Sequence, residues 1–166
     1  MKEKDFLEAY DLYSDALFRL CYFRLYDRER AKDIVQETFV RTWEYSVKNG
    51  KEVLNLRAFL YRVLNNLIVD DIRKKKSLSL DEITESGFQA SDNRIGKMQV
   101  ELGADSVNLM RALSKMEEEK RQILVMRFID GLGPKEIAAA IDESENVVSV
   151  RLNRALKELR EIFNNG

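Results

Sequence analysis

Apolar side chains recur at steps of three and four residues along most of the chain, which is the spacing of amphipathic helices. In the first part this spacing predicts one helix over residues 4–26 and a second over 28–45, with Asp27 as the N-cap of the second. The polar loop SVKNGKE follows, and the pattern resumes in a third helix over 55–76. We find no alternating pattern that would predict a β-strand.

A second group of helices is predicted nearer the C-terminus. Ser114 opens a capping box, with an acidic residue three positions later, and predicts the start of a helix that ends at Gly131. A proline then opens a short helix over residues 134–141, because its missing N–H costs nothing in the first helical turn. This short helix and a longer one over 145–163, separated by a tight turn, match a helix-turn-helix.

The stretch between these groups, residues 77–103, is rich in Ser, Asp and Gly and has weak periodicity, so it is predicted to be a flexible linker. Net charge divides the chain at the same places: +3 over residues 1–76, −3 over 77–103 and −1 over 104–166. The predicted fold class is therefore all-α, with two small helical domains. The first has three to four helices, and the second contains the helix-turn-helix.

Composition limits the chemistry. The chain has no histidine and a single cysteine, Cys21, which excludes histidine-based catalysis, histidine metal sites and an internal disulfide. The acidic start and the lack of an apolar run of about 18 residues argue against a signal peptide and a membrane span. We expect a soluble, cytoplasmic protein that is not an enzyme, takes no cofactor, metal or small-molecule substrate, and does not insert into membranes.

Two polar faces in the first part are candidates for binding. On the second helix, residues about one turn apart form the face Asp33, Gln36, Glu37, Val40 and Glu44. The third helix presents mainly basic and amide side chains away from its apolar stripe: Arg57, Arg62, Asn66, Asp70, Arg73 and Lys74. Such faces are usually solvated surfaces, and periodicity alone leaves that interpretation open.

The last predicted helix has a polar face whose residue types fit DNA. Arginine can fork onto guanine or phosphate, asparagine and serine can bond base edges or backbone, and valine can contact a thymine methyl group. The face consists of Asn146, Val150, Asn153, Arg154 and Lys157, flanked by Ser149 and Arg151. A plain helical hairpin with solvated charges is the alternative interpretation.

Two blocks of the first part resemble region 2 of bacterial extracytoplasmic-function (ECF) sigma factors, the small promoter-specificity subunits of RNA polymerase. The first block carries the family's acidic residue, its Gln-Glu-x-Phe and its aromatic residue as Asp33, Gln36, Glu37, Phe39 and Trp43. The second block reads Phe59-Leu60-Tyr61-Arg62, Asn66, Asp70 and Arg73-Lys74. Residues 113–163 resemble region 4 of the same family, with Gly131, Glu136-Ile137-Ala138, Val148, Arg151-Leu152 and Arg154-Ala155.

The resemblance implies a sigma subunit that binds core RNA polymerase, recognises and helps melt promoter DNA, and directs transcription initiation. The core-polymerase-binding residues would be Asp33, Gln36, Glu37, Val40 and Glu44. The minus-ten DNA-binding residues would be Arg57, Tyr61, Arg62, Asn66, Arg73 and Lys74. The minus-thirty-five DNA-binding residues would be Asn146, Ser149, Val150, Arg151, Asn153, Arg154 and Lys157. An anti-sigma factor is a further expected partner.

The chain departs from the family pattern at the turn of the helix-turn-helix. The usual turn glycine is Asp142 here, and the apolar residue that follows it is Glu143. Aspartate tolerates the left-handed backbone better than most residues, so the turn is still predicted to form. The altered turn favours one alternative function, which is a helical adaptor or decoy that binds polymerase or an anti-sigma factor without starting transcription.

Overall fold

The computed structural model describes residues 2–50, 53–79 and 104–165, and every regular element within these ranges is helical. The first module comprises α1 (Glu3–Leu25), α2 (Arg28–Asn49) and α3 (Leu56–Ser79). The second comprises α4 (Ala104–Ser114), α5 (Glu118–Leu124, extended by the π-helical turn Val125–Ile129), α6 (Pro134–Ile141) and α7 (Glu145–Asn165). Most of the predicted linker, residues 80–103, lies outside the described residues.

The predicted all-α fold is confirmed. The three helices of the first module pack around fully buried side chains such as Leu17, Leu60 and Ile68. The apolar stripe predicted for α2 is buried, with Ala31 and Phe39 at 0% and 3% exposure. No helix in the described ranges is long and apolar enough to cross a membrane.

Caps fix the ends of the first two helices. The Asp27 carboxylate accepts a hydrogen bond from the Arg30 N–H at 3.0 Å, as predicted for the N-cap of α2. The predicted end of α2 at residue 45 is wrong, because the helix continues to Asn49 and is terminated by Gly50 in the left-handed region, with φ 57°. Ser46 is 3% exposed, so this polar last turn is held by tertiary packing.

The second module corrects one helix boundary. Ser114 does not cap the following helix: it is the last residue of α4, and its hydroxyl donates to the Arg111 carbonyl at 2.8 Å. Helix α5 begins only at Glu118, and α4 was not predicted from the sequence pattern. The short helix α6 begins at Pro134 as predicted, and Asp142 ends it with φ 58°. The turn of the helix-turn-helix is therefore intact.

The two modules share one hydrophobic core. Helix α3 packs along α6, and α1 contacts α5. The buried cluster continues from Leu60 and Leu64 in the first module to Ile137 and Leu132 in the second. The face of α3 that meets the second module is consequently covered, which determines how the candidate binding residues are presented.

Candidate polymerase and nucleic-acid interfaces

The acidic face of α2 is open to solvent. All five residues predicted for it are exposed: Asp33, Gln36, Glu37, Val40 and Glu44. Val40 is an apolar side chain at 51% exposure in the middle of this polar surface. Two of the acids pair with basic residues one turn later, Glu37 with Arg41 at 2.7 Å and Glu44 with Lys48 at 3.7 Å. The face therefore has an exposed apolar side chain flanked along the helix by charged ones.

A groove of about 260 Å³ runs between this face and α3. Asp33 and Glu37 line its α2 side, and Asp70 and Lys74 line its α3 side. Beneath the groove, the buried Asp71 carboxylate accepts a hydrogen bond from Arg30 Nε at 2.6 Å. This hydrogen bond is the main cause that raises the pKa of Arg30. The bond holds α2 against α3, so the acidic face of α2 keeps a fixed position relative to Lys74 of α3.

The residues predicted to contact the minus-ten element fall into two groups on α3. Asn66, Arg73 and Lys74 are exposed. The other three residues lie on or beside the side of α3 that faces the second module: Arg57, Tyr61 and Arg62. Tyr61 is 0% exposed, and one Arg57 guanidinium nitrogen donates to the Asp130 carbonyl. Arg62 lies 3.4 Å from the Asp142 carboxylate at the edge of the contact.

Asp130 is the buried charge at this contact. Its side chain has 0% exposure, and Arg19 Nη2 lies 3.6 Å from its carboxylate. Burial raises the Asp130 pKa to about 6, while Tyr61, Arg19 and Arg57 oppose the shift. Burial also raises the pKa of the Tyr61 hydroxyl, and the Asp130 charge adds to the effect. Within the described part of the chain, neither group has a hydrogen bond of good geometry.

A second polar cluster lies between the modules and was not predicted from the sequence. Arg24, at 7% exposure, donates to Glu118 through Nε at 2.8 Å and through Nη2 at 2.5 Å. Its Nη1 donates to the Asn65 amide oxygen at 2.7 Å, and Gln122 donates to the same oxygen at 2.7 Å. An arginine near the end of a helix is ordinarily solvated, so no local signal marks it as an interface residue.

A cleft of about 340 Å³ lies next to this cluster. Val69, Ile72, Ile123 and Ile141 are its apolar lining residues, and Arg73 and Glu119 are among the charged ones. Arg151 of α7 also lines the cleft and donates to Glu143 at 2.9 Å. Arg151 is thus the one residue of the predicted minus-thirty-five set that lines the cleft between the two modules.

The rest of the predicted face of α7 is free of the core. Val148, Leu152 and Ala155 are buried on one side of the helix. The opposite side exposes Asn146, Ser149, Val150, Asn153, Arg154 and Lys157. The Ser144 hydroxyl accepts a hydrogen bond from the Val147 N–H at 3.3 Å and so caps the start of α7. The helix therefore presents a polar face away from the core, and a DNA major groove is wide enough to admit an α-helix.

The fold and the exposed surfaces define the class to which the chain belongs. It is a helical protein of two modules, and the second module contains a helix-turn-helix. Residues 9–78 match the family Sigma-70 region 2, and residues 106–159 match Sigma-70, region 4. The chain is 26% identical over 164 residues to the ECF RNA polymerase sigma factor SigW of Bacillus subtilis, covering 94% of this chain and 87% of SigW. It is also 26% identical over 151 residues to SigL of Mycobacterium tuberculosis, covering 91% and 84%. The two matches place the chain in the sigma-70 family, and the curated relatives that it resembles along most of its length are ECF sigma factors.

Solved structures share the fold. The sigma factor RpoE of Bartonella quintana, solved in complex with the anti-sigma factor NepR, superposes with a TM-score of 0.75 at 20% identity, covering 97% of this chain and 98% of that one. CnrH, solved in complex with the cytosolic domain of CnrY, gives a TM-score of 0.71 at 21% identity, covering 99% and 90%. At these identities the likeness establishes the arrangement of helices.

Proposed function

We propose that this sigma factor binds core RNA polymerase, recognises promoter DNA through both modules, helps to open it and directs transcription initiation. The observation that carries the proposal is the recognition helix α7, which follows a properly formed turn at Asp142 and exposes six of its seven predicted contact residues. Neither module is strongly basic, so affinity for DNA has to come largely through the polymerase. We expect the protein to act in the cytoplasm.

The acidic face of α2 is the proposed docking surface for the core enzyme. Its apolar Val40 surrounded by acids has the composition of an interface with a buried centre and a polar rim. Charge reversal by Asp33→Lys together with Glu37→Lys should weaken binding to purified core by at least tenfold, since two attractive contacts become repulsive. The matched control is Asp11→Lys with Asp15→Lys, which reverses two exposed acids on α1. Equal retention of both variants in a core pull-down would contradict the assignment.

The face of α3 is the proposed reader of the minus-ten element. Capturing unstacked bases requires a cationic track with aromatic or amide partners. Arginine, lysine, tyrosine and asparagine of the predicted set supply these types: Arg57, Tyr61, Arg62, Asn66, Arg73 and Lys74. Since Tyr61 is buried against the second module, the modules must separate before the whole set can contact DNA.

An anti-sigma factor is the proposed regulatory partner. This rests on the likeness of the whole chain to the RpoE structure solved with NepR. No catalytic role is proposed for the chain, because its curated relatives are sigma factors that act as subunits of the polymerase.

Transcription in vitro tests the proposed function. Purified core enzyme with this protein should start transcripts at specific positions on DNA from its own genome, and core alone should not. The alternative is an adaptor or decoy, for which the Glu143–Arg151 contact is the favouring observation because it occupies an arginine of the recognition helix. Binding to core without initiation on any tested template would support the decoy and refute the sigma role.

A further inference from the structure

The second module covers part of α3 with acceptor oxygens. The Asp130 carbonyl accepts from Arg57, and the Asp142 carboxylate lies 3.4 Å from Arg62. Between these contacts Tyr61 is completely buried. Guanidinium groups that would meet phosphates in a DNA complex meet protein oxygens here. The contact is therefore competitive with DNA on this side of α3.

Asp130 occupies a fixed position in this contact. Its own N–H donates to the Val125 carbonyl at 3.0 Å, and Leu132 N–H donates to Met126 at 2.8 Å. These bonds close the π-helical end of α5, and Gly131 follows with φ 69°, a conformation that suits glycine. The local backbone thus presents the Asp130 carboxyl to the first module.

Three side chains of the first module face that carboxyl. They are Arg19 from α1, at 3.6 Å, and Arg57 and Tyr61 from α3. The arginines compensate only part of the burial cost, since Arg19 is half exposed and Arg57 bonds the Asp130 backbone carbonyl. An ionised carboxylate that is fully buried and lacks a good hydrogen bond is destabilising.

We propose that Asp130 is a pH-sensitive latch between the second module and the promoter-facing side of α3: ionisation of its carboxyl group loosens the closed state, and protonation tightens it. The part of the proposal that concerns DNA rests on the proposed function of α3. The latch itself is a property of the free protein and can be tested without polymerase.

The direction of the pH dependence of closure follows from the difference in the Asp130 pKa between the closed and open states. When the modules are closed, the Asp130 pKa is about 6; when they separate, the exposed carboxyl returns to its ordinary 3.8. A carboxyl group whose pKa is higher in the closed state favours closure in acid. This contribution to closure is complete below the open-state pKa of 3.8, and it is lost as the pH rises through about 6. The closing constant should therefore fall about tenfold between pH 5 and pH 7.5.

The chain is well suited to this measurement. It has no histidine, and Trp43 in α2 is its single tryptophan. Energy transfer from Trp43 to an acceptor dye on Glu161→Cys in α7 reports the separation of the modules. Cys21→Ala removes the only other thiol. Asp130→Asn mimics the neutral carboxyl, and Asp142→Asn is the matched control, an exposed acid of the same interface.

We expect transfer to decrease from pH 5 to 7.5 in the parent protein and in Asp142→Asn, and to stay high and flat in Asp130→Asn. Arg19→Gln removes the nearby cation, so the decrease in energy transfer should occur at higher pH in this variant. Because Arg19 is half exposed, its substitution should disturb folding little, and the variant tests the latch even where Asp130→Asn folds poorly. An unchanged pH profile in both Asp130→Asn and Arg19→Gln would overturn the latch.

A second measurement separates the latch from its consequence for DNA. A labelled single-stranded 12-mer of random sequence should bind Asp130→Asn more weakly than the parent at pH 7.5, because the variant is more closed. If Asp130→Asn has the expected flat transfer profile but binds the DNA as tightly as the parent protein, the latch is supported. The same result would contradict the role of the covered face in DNA binding. A flat profile in the parent protein would refute the latch whatever the outcome of transcription assays.

Discussion

The contact between Arg24 and Glu118 offers a quantitative test of what holds the modules together. Arg24 is buried at the boundary, and its side chain has 3% exposure against 32% for Glu118. Burial lowers the pKa of Arg24, and the Glu118 charge opposes that change. The perturbation is Glu118→Gln, which keeps the size of the side chain and one acceptor but removes the charge that compensates the buried guanidinium.

The magnitude follows from the exposure of the pair. Breaking a fully buried ion pair costs about 3–5 kcal/mol, and one hydrogen bond to a charged group contributes about 1.5–3 kcal/mol. Glu118 is one-third exposed, so water screens part of its charge, and the amide retains a weaker bond. We therefore expect Glu118→Gln to lower the free energy of unfolding by about 2 kcal/mol.

Urea denaturation followed by helical circular dichroism measures this loss. Glu119→Gln is the control: it is an exposed neighbour on the same helix and should change the free energy of unfolding by less than about 0.5 kcal/mol. Arg24→Met removes the buried charge, so Glu118→Gln should cost about 1 kcal/mol less in that background. Additive effects, or a loss under 0.5 kcal/mol for Glu118→Gln alone, would refute the reasoning.

Two other predictions concern the helix-turn-helix. Arg154→Ala should weaken binding of the reconstituted polymerase to the minus-thirty-five element more than Arg160→Ala, because Arg160 lies about 9 Å further from the N-terminal half of α7 that enters the groove; equal losses in a footprinting titration would argue against this docking. Asp142→Gly should raise the free energy of unfolding by up to about 1 kcal/mol, since glycine adopts the left-handed backbone of this turn without strain. A lower urea midpoint for Asp142→Gly would contradict that account.

Local signals predicted the helices well. Asp27 as a cap, Pro134 as a helix start and Asp142 as a left-handed turn residue all follow from interactions within a few residues of the chain, and all are confirmed. The apolar stripes were also accessible, because periodicity reports which face of a helix is buried. These signals are sufficient for the fold class, but they missed α4 and placed Ser114 at the start of α5 instead of at the end of α4.

The inter-module contacts could not be predicted in the same way. Ser46 looks like a loop residue, yet packing buries it at the end of α2. Arg24 and Glu118 are 94 positions apart, and Asp130 reads as an ordinary residue before a glycine. Their roles depend on which surfaces meet, and periodicity carries no information on that. The assignment of individual residues to polymerase or DNA remains a prediction for the same reason.

The long sequence separation across the shared core has a consequence during synthesis. Helix α3 is complete at Ser79, whereas the helix that packs along it, α6, ends only at Ile141. At a translation rate of about 5–20 residues per second, the ribosome adds the intervening residues in about 3–12 s. For those seconds each new molecule carries the first module with the α3 face uncovered. The nascent chain therefore passes through an arrangement that the finished free protein can regain only by breaking the Arg24 and Asp130 contacts.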